Sequence, residues 1–418
     1  MSSKSVVAFI GHVDPHRFFQ RHILLRVDYN VPLKKIYPDE EILVASDSRI
    51  LDSLPTIKFL LAKEAKLVIC SHLGRPKGPQ DHELSLRPVA KHLSRLLGDV
   101  KIEFFTECIG PEVEERIIQQ KPRTVIVLEN LRFHSGEEAN DDRFARLLAQ
   151  NMDIFVNDAF SVCHRENASV CKVPHYVPQK YAGFALHREI TYLSTIVEAP
   201  RKPVAAIIGG VKVSSKIDLL KTIAQHVDKL MIGGAMVFTF YKAIGYNVGD
   251  SFVEEKAIPK ALEIIEICKD RNSLFLAADA IVLPSDFKSR NEDEINSSKK
   301  TVDCFTFPEH HKAMDIGPQT INRFKNELDE CNTIILNGPL GYYEEPIFAN
   351  GTVEILNYMC SRTSSGAITV ICGGDTVAVC NSCGALNLSH ISMGGGASLE
   401  FLSGKMMPGI AALPTEML

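Results

Sequence analysis

Short runs of apolar, largely β-branched residues alternate along the chain with stretches whose apolar residues recur at helical spacing. The runs are continuous, which is typical of strands buried on both faces of a parallel sheet. They are Ile23–Val27, Leu67–Cys70, Thr124–Leu128, Asp153–Val156, Val204–Ile208, Leu230–Ile232, Thr333–Leu336 and Ile368–Cys372. Between them the pattern predicts helices at Ser48–Lys63, Asp141–Gln150 and Ser214–Gln225. This alternation predicts an α/β fold with parallel sheets.

The chain is predicted to form two lobes, because one sheet holding every strand would be unusually large. Leu186–Ala199 has the pattern of a connecting helix, which the prolines at 200 and 203 end. We therefore predict two doubly wound parallel-sheet lobes, residues 1–187 and 204–404, joined by a hinge helix or linker at 188–203. Residues 288–300 are polar and charged without an apolar period, so a solvated loop is predicted there.

The composition is that of a globular protein and narrows the possible partners. The 418 residues are 45% apolar and 23% charged, which excludes a collagen-like or broadly disordered chain. The net charge of −5 gives no general attraction to nucleic acid. No apolar stretch approaches the roughly 18 residues that a membrane span needs. The apolar run near the N-terminus is short for a signal peptide, so we expect a cytoplasmic protein with no membrane partner.

The 11 cysteines are scattered through a long chain, which predicts reduced, buried thiols rather than a disulfide framework. Cys380 and Cys383 form a single CxxC pair with no second pair. Ordinary packing is a better interpretation of this pair than a zinc site.

Polar residues in the first half follow the strands at the points where the strands end. Ligands of open α/β sheets bind at that edge. Each charge alone would be typical of a protein surface, but together they predict a site for a small, multiply charged anion, because arginine binds phosphate and carboxylate bidentately. The residues are Asp28, Asn30, His72, Arg75, Arg132 and Arg165, with Arg49 opening the first helix.

Glycines take the same places in the second half. Any single glycine pair is better explained as a tight turn, but the repetition favours a nucleotide site, where backbone N–H groups approach phosphates closely. Lys212 and Lys216 are candidate phosphate partners, and Asp375 is a candidate Mg²⁺ ligand. The glycine turns are Gly209–Gly210, Gly233–Gly234, Gly338–Gly341 with Glu344 nearby, Gly373–Gly374 before Thr376, and Gly394–Gly396 at the predicted final helix.

Neither common nucleotide fingerprint is present. The chain has no GxxxxGK[ST], which excludes a P-loop enzyme, and no GxGxxG after a strand, which leaves a standard dinucleotide fold unsupported. An anion site in one lobe and a magnesium–nucleotide site in the other together suggest a phosphotransferase with a closing cleft.

Several segments resemble the signatures of the phosphoglycerate kinase family. Residues 26–32 (RVDYNVP) resemble its RVDFNVP signature, and residues 71–78 (SHLGRPKG) match another of its blocks. Further similar segments lie at 128–133, 157–160, 315–318, 337–339, 373–376 and 394–400. The resemblance covers residues 22–413 in order and at family spacing, so the motif set is highly specific.

This resemblance implies a monomeric, bilobal, Mg²⁺-dependent kinase whose hinge closes the lobes. Its first lobe would bind 3-phosphoglycerate or 1,3-bisphosphoglycerate, with residues 405–418 returning to it, and its second lobe would bind ADP or ATP. Asp28, Asn30, Arg49, His72, Arg75, Arg132 and Arg165 would hold the substrate. Gly210, Lys216, Gly233, Gly234, Gly338, Glu344, Gly374, Asp375 and Thr376 would line the nucleotide site, with Asp375 on Mg²⁺. Arg49, Lys212 and the N–H groups near Gly395 would meet the transferring phosphoryl group, with no general base.

The chain departs from the family pattern at several positions. Ser161 replaces a glycine, so it lacks that residue's freedom of φ. Leu336 stands where a tryptophan is common, Ala235 replaces a glycine and Met393 replaces a threonine. Residues 1–21 match poorly. Two alternatives to an active kinase are a weakened homologue that serves as a binding or regulatory protein, and a nucleotide-dependent enzyme of another α/β family. The intact Arg49, Lys212, Lys216 and Asp375 argue against the first, and the missing fingerprints against the second.

Overall fold

The structure, a computed structural model, describes residues 5–36, 41–198, 200–289 and 291–417. It divides into two compact units. Unit 1 comprises Met1–Thr191 with Met406–Leu418, and unit 2 comprises Tyr192–Lys405.

Unit 1 is built on a parallel sheet of six strands. Its central strand, His22–Arg26, is buried along almost its whole length. A sheet covered on both faces in this way requires the continuous apolar runs that the sequence shows. The spatial order is Ile102–Phe104, Val125–Val127, Lys66–Cys70, His22–Arg26, Ile154–Asn157 and Gln179–Ala182.

The main helix of unit 1, Ser48–Leu61, buries Ile50, Ile57 and Leu60 against the sheet core. This helical spacing puts the three side chains on one face. The other α-helices are Arg87–Leu97, Pro111–Ile118, Ser135–Glu138, Asp142–Leu148, Val173–Tyr176 and Pro408–Ala411. Helix Phe184–Val197 begins in unit 1 and ends in unit 2. An antiparallel hairpin, Leu33–Ile36 with Glu41–Val44, lies outside the main sheet.

The first and last described strands pair with each other within unit 1. Strand Ser5–Val7 pairs antiparallel with Thr415–Met417, and the Gly409 N–H donates to the Cys163 carbonyl at 2.9 Å. Phe18, at the end of the turn Pro15–Phe18, is fully buried in the core. This turn therefore contributes to the packing of unit 1.

Unit 2 has its own parallel sheet of six strands. Val204–Ile208 is buried throughout. The order is Leu274–Leu276, Lys229–Ile232, Val204–Ile208, Thr333–Asn337, Ile368–Cys372 and His390–Ile391. The α-helices are Ile217–His226, Val237–Ala243, Ile258–Lys269, Glu292–Ser298, Pro318–Leu328, Asn350–Ser364, Gly374–Cys383 and Gly396–Leu402.

A second, antiparallel sheet in unit 2 was not predicted. It joins Lys300–Asp303, Asp279–Pro284 and His311–Ile316. The prediction of a loop at 288–300 is wrong, because Glu292–Ser298 is a helix that buries Ile295; Arg290 lies outside the described residues. A helix with one buried apolar residue shows no helical spacing of apolar positions, so the sequence pattern could not predict it.

The predicted α/β class with two parallel-sheet lobes is confirmed, and the predicted strands agree with the structure to within one residue at each end. The predicted connecting helix is present as Phe184–Val197, while its predicted end at Ala199 lies outside the described residues. Gly394–Gly396 does not open the last helix, because Pro408–Ala411 follows. All 11 cysteines are free thiols, as the sequence predicts; eight are buried, and Cys171, Cys360 and Cys383 are partly exposed.

Candidate active site

Asp28 is the centre of a network at the carboxyl edge of the unit 1 sheet. Its Oδ1 accepts from the Asn30 N–H at 3.0 Å, and its Oδ2 accepts from the Arg49 guanidinium and the Ser161 hydroxyl. Burial alone would raise the pKa of Asp28, but the Arg49 charge and the hydrogen bonds from the Ser161 hydroxyl and the Asn30 N–H lower it below its usual range. The carboxylate therefore stays ionised and holds Arg49 in place.

His72 is buried beside the guanidinium group of Arg26, a residue that was not among the predicted site residues. Nη2 of Arg26 lies 3.3 Å from His72 Nδ1, and Nε of Arg26 donates to Ser169 Oγ at 2.9 Å. Burial and the Arg26 charge lower the pKa of His72 to about 3. Because a guanidinium only donates, Nδ1 must accept, so the imidazole is neutral with its proton on Nε2. Arg26 lies within the 26–32 motif, and its place in that motif was the sequence signal that could have identified it as a site residue.

The remaining predicted anion-site residues differ in how closely they join this network. Arg132 donates from Nη1 to the Gly74 carbonyl at 2.6 Å, and the Gly74 N–H donates to Asn30 Oδ1 at 2.8 Å. Burial lowers the pKa of Arg132, and the neighbouring Arg165 charge contributes to this shift. Arg75 is exposed and makes no hydrogen bond or ion pair with the described residues. The structure thus brings together Asp28, Asn30, Arg49, His72, Arg132 and Arg165, and leaves Arg75 on the surface.

We expect the His72 imidazole not to titrate between pH 5 and pH 8, because its pKa is lowered to about 3 by burial and by Arg26. A ¹⁵N NMR titration of the ring nitrogens, assigned with a His72→Gln variant, measures this directly. A midpoint near the ordinary histidine value of about 6.5 would contradict the neutral tautomer.

Lys216 is held inside the glycine turns of unit 2. Its Nζ donates to the carbonyls of Gly209 and Asn337 at 2.7 and 3.0 Å. Gly338 has φ +94°, and a Cβ there would come within 2.4 Å of Nζ. The Gly338 N–H donates to Thr376 Oγ1 at 2.7 Å. Burial lowers the pKa of Lys216 to about 8. The positive charge of its ammonium group is therefore only partly balanced by its neighbours, and it would attract a phosphate ligand.

A largely apolar cavity of about 460 Å³ opens beside these turns. Four predicted nucleotide-site residues line it: Gly210, Gly234, Glu344 and Asp375. Phe238, Met314, Ile316 and Leu340 supply apolar wall. A wall of this kind suits a planar base. Met314 and Ile316 were missed because they belong to the unpredicted antiparallel sheet.

Gly233 and Gly234 allow a close approach of two turns beside this cavity. Gly234 has φ +66°, and a Cβ on it would lie 2.7 Å from the Gly210 nitrogen. A Cβ on Gly233 would meet the Leu340 side chain at 2.7 Å. Only glycine fits both positions without displacing these neighbours.

Asp375 is exposed at the start of helix Gly374–Cys383, and its Oδ1 accepts from the Tyr343 hydroxyl at 3.1 Å. Burial and the Asp375 carboxylate raise the pKa of Tyr343 to about 12. Within the described ranges, no cluster of three or more His, Cys, Asp or Glu side chains could hold a metal ion. A single carboxylate fits Mg²⁺ that takes its other ligands from phosphate and water.

The two remaining predicted catalytic positions of unit 2 lie in exposed or open places. Lys212 is exposed after strand Val204–Ile208, and its carbonyl accepts from the Ser215 hydroxyl at 2.8 Å. Gly395 has φ +56° and precedes helix Gly396–Leu402, with open space where a Cβ would stand. Both positions leave room for a ligand.

The departures from the family pattern have distinct surroundings. Ser161 lies in the 3₁₀ turn Phe160–Val162 without a positive φ, and its hydroxyl binds Asp28. Leu336 is fully buried in a central strand, and Ala235 lines the cavity. Met393 is partly buried next to Gly394. The loss of glycine freedom at residue 161 therefore costs no backbone strain.

Among the described helices, none is both long and apolar enough to cross a membrane.

Comparisons with known proteins point to one family. The family model described as phosphoglycerate kinase matches residues 13–405. A phosphoglycerate kinase of Rippkaea orientalis is 43% identical over 414 residues, covering 99% of each chain. One from Pelodictyon phaeoclathratiforme is 44% identical over 400 residues, covering 94% of this chain and 96% of its own. The solved phosphoglycerate kinase of Coxiella burnetii superposes with a TM-score of 0.83 at 32% identity, covering 97% of this chain and 98% of its own.

Proposed function

The chain belongs to the phosphoglycerate kinase family of phosphotransferases, and we propose that it transfers a phosphoryl group reversibly from 1,3-bisphosphoglycerate to MgADP. The products are 3-phosphoglycerate and MgATP, which places the reaction in glycolysis and gluconeogenesis. The observation that supports this best is the position of Lys216 and Asp375 beside an apolar cavity of about 460 Å³.

The phosphoglycerate is proposed to bind at the carboxyl edge of the unit 1 sheet. Arg49, Arg132 and Arg165 present guanidinium groups for its phosphate and carboxylate, and Arg75 is proposed to join them when the ligand is present. The Nε2–H of neutral His72 serves as a further donor. Asp28 and Asn30 are proposed to accept from the hydroxyl group of the ligand. Asn30 Oδ1 also accepts from the Gly74 N–H and so holds the loop that carries Gly74.

The nucleotide is proposed to bind in unit 2 with its base in the apolar cavity. Lys216 and the turns at Gly210, Gly233, Gly234 and Gly338 face its phosphates, while Glu344 accepts from the ribose. Gly374, Asp375 and Thr376 open a helix whose free N–H groups favour phosphate. When bound through Asp375, Mg²⁺ supplies neutralising charge to the phosphate oxygens.

The reaction needs no general base. The attacking β-phosphate oxygen of ADP is already ionised, and the carboxylate that leaves is stable as an anion. One phosphorus–oxygen bond forms as another breaks, and no proton changes place. What lowers the barrier is in-line positioning and charge stabilisation of the phosphoryl oxygens, which we assign to Arg49, Lys212 and the N–H groups near Gly395.

Transfer requires the two ligands to meet, so the proposal includes closure at the hinge, residues 188–203, that the family resemblance implies. Unit 1 is then the phosphoglycerate-binding lobe and unit 2 the nucleotide-binding lobe. We further propose that the protein is a monomer located in the cytoplasm. Sedimentation measures its oligomeric state, and small-angle scattering with and without both ligands measures closure.

We expect ADP binding to take up protons near pH 8. The pKa of Lys216 is lowered to about 8 by burial, so the free protein is partly deprotonated there, and the phosphates favour the charged form. ADP affinity should therefore fall as the pH rises through 8. Calorimetry at pH 8 in buffers of different ionisation enthalpy measures the proton uptake.

A Lys216→Arg variant stays protonated at pH 8, so its binding heat should not depend on the buffer. Lys221→Arg is the control, since Lys221 pairs with Glu263 at 2.7 Å on the neighbouring helix and should keep the uptake. Equal wild-type heats in all buffers at pH 8 would refute the role given to Lys216.

The proposed activity is tested by supplying 3-phosphoglycerate and MgATP and trapping the acyl phosphate with hydroxylamine as a hydroxamate. Steady hydroxamate formation that needs both substrates is the expected result. Binding of both ligands without turnover would favour the weakened, regulatory homologue instead. Absence of binding by either ligand would favour a different nucleotide-dependent enzyme.

A further inference from the structure

Among the described residues, one side chain forms a hydrogen bond with the Asp375 carboxylate. It stands exposed at the start of its helix, where an aspartate side chain can rotate. Across the described parts of the chain, the hydrogen bond that orients this carboxylate is the one that Oδ1 accepts from the Tyr343 hydroxyl, at 3.1 Å.

Tyr343 is itself anchored by its loop. Its N–H donates to the Gly341 carbonyl at 3.0 Å, and the preceding Tyr342 N–H donates to the Met314 carbonyl at 2.7 Å. Met314 belongs to strand His311–Ile316, so the loop is tied to a sheet. A phenol ordinarily keeps its proton to a pH of about 10, so at neutral pH the hydroxyl is a donor.

We propose that Tyr343 is a positioning residue for the divalent cation that accompanies the nucleotide. Its hydroxyl engages Oδ1 of Asp375, which restricts the carboxylate and keeps Oδ2 available to the cation. Groups that hydrogen-bond to metal ligands commonly change metal affinity by about 10–100-fold when removed. This inference rests on the proposed function, because it takes Asp375 as the cation ligand.

The test is a Tyr343→Phe substitution, which removes only the hydroxyl group. ADP binding is measured by calorimetry with Mg²⁺ and with EDTA. The dissociation constant in EDTA divided by the dissociation constant in Mg²⁺ gives the cation's contribution to binding. We expect this ratio to fall at least about tenfold in the variant, with metal-free ADP affinity unchanged. The measurement does not depend on turnover.

Tyr358→Phe is a matched control, because the Tyr358 hydroxyl also donates to an aspartate, Asp329, in unit 2 but away from the cavity. It should keep the wild-type ratio. An unchanged ratio in Tyr343→Phe, or an equal loss of ADP affinity with and without Mg²⁺, would overturn the positioning role. If the ADP affinity of the wild-type protein is the same with and without Mg²⁺, the cation site itself is overturned. This result distinguishes failure of the cation site from failure of the Tyr343 role.

Discussion

Replacing Arg49 with alanine is expected to lower kcat by about 10³-fold, since an arginine on a transferring phosphoryl group contributes this much or more. The KM for nucleotide should change little, because Arg49 lies in unit 1, at the start of helix Ser48–Leu61. The KM for 3-phosphoglycerate should rise, because the same guanidinium is assigned to substrate binding. Steady-state kinetics with each substrate varied in turn separates these effects.

The Arg49 guanidinium also pairs with Asp28, so loss of structure must be distinguished from loss of catalysis. Arg146→Ala is the control, because it breaks an arginine–aspartate pair with Asp142, 2.9 Å long and exposed in the same unit. Such surface pairs contribute about 0–1 kcal/mol to stability. The control should keep wild-type kinetics, and a folded Arg49→Ala protein with near-normal turnover would contradict the assigned role.

Replacing Lys212 with alanine is the second large expected effect, a fall in kcat of about 10²–10³-fold with little change in nucleotide KM. Lys212 is exposed, so its removal should not alter the fold. Its loop is anchored independently, because the Ser214 N–H donates to Glu254 Oε2 at 2.9 Å. The charge is therefore expected to act on the phosphoryl group during transfer rather than on bound ADP.

Lys221→Ala is the control for Lys212→Ala, because it also removes one positive charge from unit 2. It breaks the 2.7 Å ion pair between Lys221 and Glu263. Single-turnover measurements on both variants isolate the transfer step from product release. If Lys212→Ala lost ADP affinity while its transfer rate stayed intact, Lys212 would be a binding residue instead of a catalytic one.

The central strands could be predicted because burial on both faces leaves an unbroken apolar run, as at Val204–Ile208. Edge strands such as Ile102–Phe104 and His390–Ile391 are short and only partly buried, so their patterns are weak. Helix Glu292–Ser298 gave even less signal, with Ile295 as its buried residue. Length and burial on both faces, more than residue type, decided what could be found.

The candidate site was predictable where residues directly follow strands. Asp28, His72 and Asp375 lie at such points, so sheet topology alone places them. Arg26 and Tyr343 were missed for different reasons. Arg26 sits inside a strand, and its role depends on a contact with His72 that sequence spacing does not reveal. Tyr343 lies several residues beyond its strand and acts through Asp375.

The most direct test of the account follows one labelled phosphorus atom. The chain is mixed with MgADP and 1,3-bisphosphoglycerate carrying ³²P in its acyl phosphate. We expect the label to appear in the γ-phosphate of ATP, at a rate that falls sharply in Arg49→Ala and Lys212→Ala. Label released as inorganic phosphate, or retained in the bisphosphoglycerate while both ligands bind, would contradict it.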